Sequence, residues 1–253
     1  MSESRADVTA PEVFVTVRIP ANWDGAQEMV ERMDDRCRLL PNRFISEDGM
    51  ECEMTLRDAD DEFARVFAMS CRREPTDEEK LAIENYRVQV CLTGRCGSRE
   101  SAYTFMRAIS HWLDAGGAGV FLDNSGVALG RNGWREVMQQ IDAQQLNADA
   151  LTFAYVGVCR GEVARTVGMQ ILGCPDVEMA SDQIGDDGFA LIEMMQYVCE
   201  ANELPKTGDL AGDENAARFL VSRVDDPQPP NHPMHNPFGR IRLTSLRDIA
   251  DSN

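Results

Sequence analysis

The sequence has little histidine, a shortage of positive charge and no long apolar run, and each shortage excludes a class of function. There are 3 histidines, none beside a Gly-x-Ser-x-Gly elbow, so the usual base of serine hydrolysis is missing. No cysteine stands in a recognisable protease context either. Lys and Arg total 25 against 43 Asp and Glu, a formal charge of −18. Such a field repels phosphate and excludes non-specific binding to DNA, RNA or anionic lipid. No stretch of about 18 apolar residues is available to span a membrane, and the first residues, Met1 to Asp7, have no apolar signal core. Gly-x-x-x-x-Gly-Lys-Ser/Thr and Gly-x-Gly-x-x-Gly are both absent, so no nucleotide fingerprint is present and no cofactor is implied. No repeat of solenoid period is found.

What remains is a chain of 253 residues with an ordinary hydrophobic fraction, 43%, long enough to bury a real core. Most of its 8 cysteines, at positions 37, 52, 71, 91, 96, 159, 174 and 199, sit in apolar runs such as Val158-Cys159 and Val198-Cys199. There they serve as small core hydrophobes, reduced as in a cytoplasmic protein. Cys91 and Cys96 are the one close pair, and a lone pair is a poor metal site.

The clearest architectural signal runs from Tyr86 to Asp123. Tyr86–Thr93 alternates as a strand, Gly94-Arg-Cys-Gly97 turns, a helical run reaches Ala115, and after Gly116-Gly117 a short apolar strand ends at Asp123. Strand, helix, strand predicts two parallel strands bridged by a covering helix. Ser98 caps that helix, Ala102, Phe105, Met106, Ile109 and Leu113 form its buried stripe, and Gly116-Gly117 end it. His111, with Thr104 and Arg107, falls on the opposite, solvated side.

Around this unit the chain reads as alternating elements. Residues 1–11 are expected to be a disordered leader, and Val13–Ile19 a strand. Asn22 caps a helix with Trp23, Ala26, Val30 and Met33 inward. Arg38–Ile45 and Met50–Leu56 are extended, Phe63–Met69 reads as a strand with a helix turn fitting nearly as well, and Thr76-Asp-Glu-Glu79 is a capping box. After the turn Asn124-Ser-Gly126 and the break Gly130-Arg-Asn-Gly133, Trp134–Ile141 is helical. Gln144–Asp149 is a connection. Leu151–Cys159 reads as a strand pairing with Val163–Met169, and Val177–Met179 is extended. A helix from Asp186 or Asp187 buries Leu191, Met194, Met195 and Val198, a loop covers Leu204–Asn215, and Phe219–Val224 is a late strand. Asp225–Pro237 carries five prolines and reads as a linker or surface loop, and Arg240–Leu243 as an edge strand. The two α+β halves, 12–142 and 148–243, with a frayed tail at 244–253, allow one continuous domain as well as two.

Gly119–Gly126, Thr166-Val-Gly-Met169 and above all Leu172-Gly-Cys-Pro-Asp-Val-Glu178 resemble a bacterial family described as domain of unknown function 4261. The likeness covers the second half of the chain, and Asp176 stands where glutamate is expected. It implies an α+β bacterial cytosolic protein and transfers no catalytic residue. Gly168 in the quoted motif fits close backbone approach.

Three constellations could carry chemistry. Gly94, Arg95, Gly97, Ser98 and Arg99 place glycines, arginines and free N–H groups at a helix start, suited to an anion, with Asp123 at a strand end nearby; an ordinary capped turn accounts for them too. His232 and His235, with Asp225 or Asp226, are the alternative for a transition metal, but two imidazoles in a proline-rich stretch read as a solvated loop and no metal site is expected. Cys96, beside the helix start, is placed for a lowered pKa.

The fold expected is therefore α+β, a mixed sheet with covering helices, of which two packed ferredoxin-like subdomains are one form. The function expected is a non-enzymatic protein-interaction module of regulatory or immunity-like kind, binding a protein with a basic surface. The alternative is a small anionic-ligand binder or enzyme using the Gly94–Arg99 loop.

Overall fold

A computed structural model describes residues 11–144, 146–183, 189–201, 203–212, 218–246 and 249. The expected leader, apart from Pro11, the helix start at Asp186 or Asp187, and most of the tail lie outside the described residues.

In chain order the first half holds β1 (Val13–Ala21), α1 (Ala26–Arg32), β2 (Arg38–Leu40), β3 (Arg43–Ile45), β4 (Glu51–Asp58), α2 (Phe63–Ser70), α3 (Asp77–Glu84), β5 (Val88–Cys96), α4 (Arg99–Asp114), β6 (Gly119–Leu122), β7 (Val127–Gly130) and α5 (Arg131–Gln144). The second holds α6 (Ala148–Tyr155), β8 (Gly157–Cys159), β9 (Val163–Val167), a 3-10 turn (Met169–Leu172), β10 (Asp176–Ala180), α7 (Phe189–Glu200), β11 (Leu210–Ala211), β12 (Phe219–Val224) and β13 (Arg240–Ser245). The protein is α+β. A 7-stranded sheet runs β2-β3-β4-β5-β1-β6-β7, antiparallel throughout. A 6-stranded mixed sheet runs β11-β12-β13-β10-β9-β8, with β10 and β13 its parallel pair.

The strand–helix–strand unit is there, but its strands do not touch. β1 lies between β5 and β6 and pairs antiparallel with both, so the two run in the same direction one strand apart. β1 buries Val13, Val15, Val17 and Ile19 on one face, and β5 and β6 take the backbone hydrogen bonds of its two edges.

α4 joins the two halves: it packs on the first sheet at β5 and against α5, α6 and the Met169–Leu172 turn. Ser98 accepts from the Ser101 N–H at 3.1 Å while Ser101 Oγ accepts from the Ser98 N–H at 3.0 Å, closing a reciprocal cap. The expected stripe, Ala102, Phe105, Met106, Ile109 and Leu113, is fully buried, and large members contribute about 1.5–3 kcal/mol each. Ala108 and Trp112 are buried as well, Trp112 against Trp23 and Phe44. Toward the second half, Tyr155 of α6 donates its hydroxyl to the Ala102 carbonyl at 2.8 Å, and the Gly97 N–H donates to the Ile171 carbonyl at 3.1 Å. One hydrophobic cluster accordingly runs from Val13 to Leu243 through both halves. His111 is 9% exposed and lies 3.8 Å from both Asp34 and Glu47, rather than facing solvent.

Other expectations are corrected by packing. Phe63–Met69 is helical: Phe63 and Phe67, four apart, are both buried against Phe121 on the far face of the first sheet. Leu151–Cys159 begins as the helix α6, capped by Asn147, and only its last residues form β8. Trp23 precedes α1, whose inward residue is Met29, not Val30. Arg131 opens α5 where a break was expected, and Leu210–Ala211 adds a short strand to the expected loop. β13 is an interior strand between β12 and β10, not an edge.

The Thr76 cap is made as expected, and Glu79 extends it. The buried Glu79 carboxylate accepts from the Thr76 N–H at 2.8 Å and from the Asn132 N–H at 2.6 Å, tying the starts of α3 and α5 together.

Candidate functional site

The helix-start residues expected to hold an anion are placed differently from one another. Gly94 is a buried strand residue whose missing side chain makes room for the Phe105 ring, 2.7 Å from where a Cβ would sit. Arg95 points out from the first sheet and pairs with Glu12 at 3.1 Å. The Gly97 and Ser98 groups are spent on the turn at Ile171 and on the α4 cap. Gly173, at φ +79°, presses against Gly97, and a Cβ there would meet the Gly97 carbonyl at 2.4 Å. Arg99 instead acts on two buried thiols. Cys174 is lowered first by a hydrogen bond from Cys199 and further by the Arg99 charge, while Cys199 is raised by the same contact and by burial. Cys96, expected to be acidic, is pushed far up by burial. Asp123 is bound by Arg18 Nε at 2.7 Å on the outer face of the first sheet. That face also carries Arg95, but Gly97 and Ser98 lie against the turn at Ile171 and Gly173, and Arg99 near Cys174 and Cys199.

The proline-rich segment is a well-tied loop rather than a linker. Asn236, fully buried, donates to the Cys174 carbonyl at 3.0 Å and to Asp176 Oδ2 at 2.8 Å. Asp226 accepts from the Asn236 N–H at 3.1 Å and pairs with Arg240 at 3.0 Å, and Arg240 reaches Glu178 at 3.1 Å. Asp226 is therefore satisfied inside the fold and does not complete a sphere for His232 and His235. Among the described residues no group of His, Cys, Asp and Glu is arranged to hold a metal ion. Asp176, which also accepts from Thr166 Oγ1 at 3.0 Å and from the Met169 N–H at 3.3 Å, is pushed up to about 6 by burial, against the pull of those donors. Gly168, at φ +110°, allows the approach expected of it: a Cβ would lie 2.6 Å from the Tyr155 carbonyl.

The open surfaces lie elsewhere. A groove of about 350 Å³ separates α2 from α3, floored by Ala64, Phe67 and Ile83 and edged by Glu74, Glu84 and Lys80. Lys80 is held by Glu74 at 2.6 Å. The outer surfaces of the same helices expose Met69 and Leu81, at 78% and 62%. Asp60, Asp61, Glu62, Asp77, Glu78 and Glu84 in this stretch are exposed, as are Arg65, Arg72 and Arg73. The sequence concealed this groove because Phe63–Met69 imitates a strand; the Phe63/Phe67 spacing was the available signal. Among the described residues no helix is long and apolar enough to cross a membrane.

No family model, curated protein or solved structure matches this chain.

A second cleft, also about 350 Å³, opens where the beginning of β1 meets Asn124, Gln170 and the proline loop with His232 and His235. Asn124 closes its floor, accepting from the Thr16 N–H at 2.9 Å and donating to the Pro233 carbonyl at 2.7 Å. Gln170 escaped the sequence reading although the glycines at 168 and 173 bracket it. Their left-handed backbones mark a forced turn, but its meeting with three distant segments is tertiary.

Proposed function

We propose that this chain is a non-enzymatic protein-interaction module, regulatory or immunity-like, that works in the bacterial cytoplasm and docks a partner with a basic surface between α2 and α3. The observation that carries the reading is the groove with its setting: apolar side chains on its floor and on its helices, with Glu74 and Glu84 at its edge and Lys80 held by Glu74. A partner segment that inserts one apolar side chain and surrounds it with Lys or Arg matches both features. Burial of the inserted group supplies affinity, while the surrounding charge steers the encounter. The eight cysteines, all free, suit a reducing compartment. The strand order β4-β5-β1-β6, with α1 and α4 as crossovers, supports reading the first half as ferredoxin-like; the parallel β10–β13 pair stands outside that pattern. The resemblance to domain of unknown function 4261 belongs to the same proposal. Its quoted residues Thr166, Gly168 and Asp176 meet around one buried turn.

The test is a titration with a basic amphipathic peptide of Leu and Lys at physiological salt, followed by fluorescence anisotropy. Saturable binding is expected, weakened about tenfold or more by Ala68→Trp, which fills the groove from its exposed rim without touching the core. Binding that never saturates, or that Ala68→Trp leaves unchanged, overturns the reading.

A further inference from the structure

The cleft beneath the proline loop contains an unpaired group. Gln170 lines it and is 1% exposed, yet neither Nε2 nor Oε1 has a hydrogen-bond partner. Buried carboxamides are almost always paired, because desolvation without a partner is costly. The neighbours do not relieve it. Asn124 spends its groups on Thr16, Phe14 and Pro233, and Asn236 spends its own on Cys174, Asp176 and Phe238. Nor can the turn move to rescue the side chain: Gly168 and Gly173 fix it at both ends, each packed against backbone.

The walls say what would pair with it. The Met234 N–H donates to His232 Nδ1 at 3.2 Å, so the neutral ring carries its proton on Nε2. His235 Nδ1 lies 2.9 Å from the Gln228 carbonyl, which only accepts, so Nδ1 carries a proton and donates it there. The cleft wall thus carries a ring N–H donor besides the Gln170 amide. Phe14, Pro230, Pro233 and Pro237 add flat apolar surface to the lining, beside Asn124 and Asn231. Glu12 is the one acidic side chain on the cleft wall, and no Lys or Arg lines it. The lining therefore favours an uncharged ligand over an anion.

We propose that this cleft binds a small, planar, uncharged molecule carrying adjacent C=O and N–H groups, a lactam or carboxamide such as a pyrimidine base or nicotinamide, paired edge to edge with Gln170. The site is separate from the α2–α3 groove and stands or falls independently of the docking reading. A carboxamide is a donor–acceptor edge in one plane, and a cis-amide heterocycle presents the complementary edge. The volume is that of a small-ligand pocket and suits one ring between the prolines.

The experiment is a calorimetric and thermal-shift panel on the full chain with uracil, nicotinamide, succinimide, benzoate and inorganic phosphate at low millimolar concentration. At least one uncharged amide is expected to bind saturably and raise the melting temperature, with phosphate and benzoate silent. Gln170→Leu is expected to weaken that binding about tenfold or more while holding or raising the melting temperature, since it removes unpaired groups and keeps an apolar side chain of similar reach. Asn231→Trp, on the exposed rim, should block the cleft with the Gln170 turn untouched. If no amide binds, the cleft holds water only and the proposal is overturned; equal binding by Gln170→Leu, or binding of the anions alone, overturns it too.

Discussion

Trp112→Ala lowers the free energy of unfolding by about 3–5 kcal/mol, the range for an aromatic removed from a filled core. Trp112 is fully buried on α4, its ring 5.2 Å from Phe44 and 6.1 Å from Trp23, so truncation opens a cavity where the first sheet, α1 and α4 meet. Trp23 is itself fixed by donating Nε1–H to the Ala115 carbonyl at 2.9 Å, which leaves it little freedom to collapse into the space. Trp112→Phe is the control. The Trp112 indole N–H is buried without a partner, so phenylalanine loses ring volume but sheds an unpaired donor and costs much less than alanine. Urea unfolding followed by circular dichroism measures both. Against a total of about 5–15 kcal/mol for a domain, the alanine variant has a visibly lowered midpoint. A loss below about 1 kcal/mol would mean that α4 does not sit in a packed core.

The second large effect is a pH dependence at Asp176. Burial pushes its carboxyl up to about 6 from an ordinary 3.8, with Asn236, Met169 and Thr166 donating to the charged form and holding the rise in check. The folded value lies above the unfolded one. Between them the folded chain keeps a proton that the unfolded chain has lost, so this group adds stability as pH falls through about 6 and has added all of it below the unfolded value. The difference corresponds to about 3 kcal/mol. Asp176→Asn cannot titrate, so the stability of the natural protein relative to this variant rises as pH is lowered from about 7 to about 4. Acids common to both proteins cancel in the comparison. Paired urea titrations across that range check it, and a gap that stays constant, or that closes on acidification, contradicts the assignment.

How legible the protein was in its sequence depended on distance along the chain. Thr76–Glu79 and the start of α4 at Ser98 were readable because a cap joins residues three apart. β1 was readable from its β-branched run, and α7 from Leu191, Met194, Met195 and Val198. Failures came where distant chain decided the outcome. His111 lies on the polar side of α4 by helical spacing alone, and only the turns at 34–37 and 46–50 cover it. Phe63–Met69 and Leu151–Tyr155 carry the aromatic and β-branched residues of strands, and packing against other elements overrode that preference. Arg240–Leu243 read as an edge because nothing local announces that β12 and β10 will flank it. The sites divide likewise. The glycines and arginines of 94–99 were visible as a motif, but Glu12, Ile171 and Gly173 determine where each one goes. Asp225–Pro237 read as unpacked because its anchors, Asp226 and Asn236, find their partners at 174, 176 and 240.

The fold depends on α4 joining the first sheet to α6 and the Met169–Leu172 turn, and native-state hydrogen exchange measures that directly. The amides of β1, β5 and α4 are expected to open with the same free energy as those of β10 and the Met169–Leu172 turn, and to fall together as urea is added. If residues 148–243 exchange through an opening several kcal/mol easier while the first sheet and α4 stay protected, the shared core is refuted.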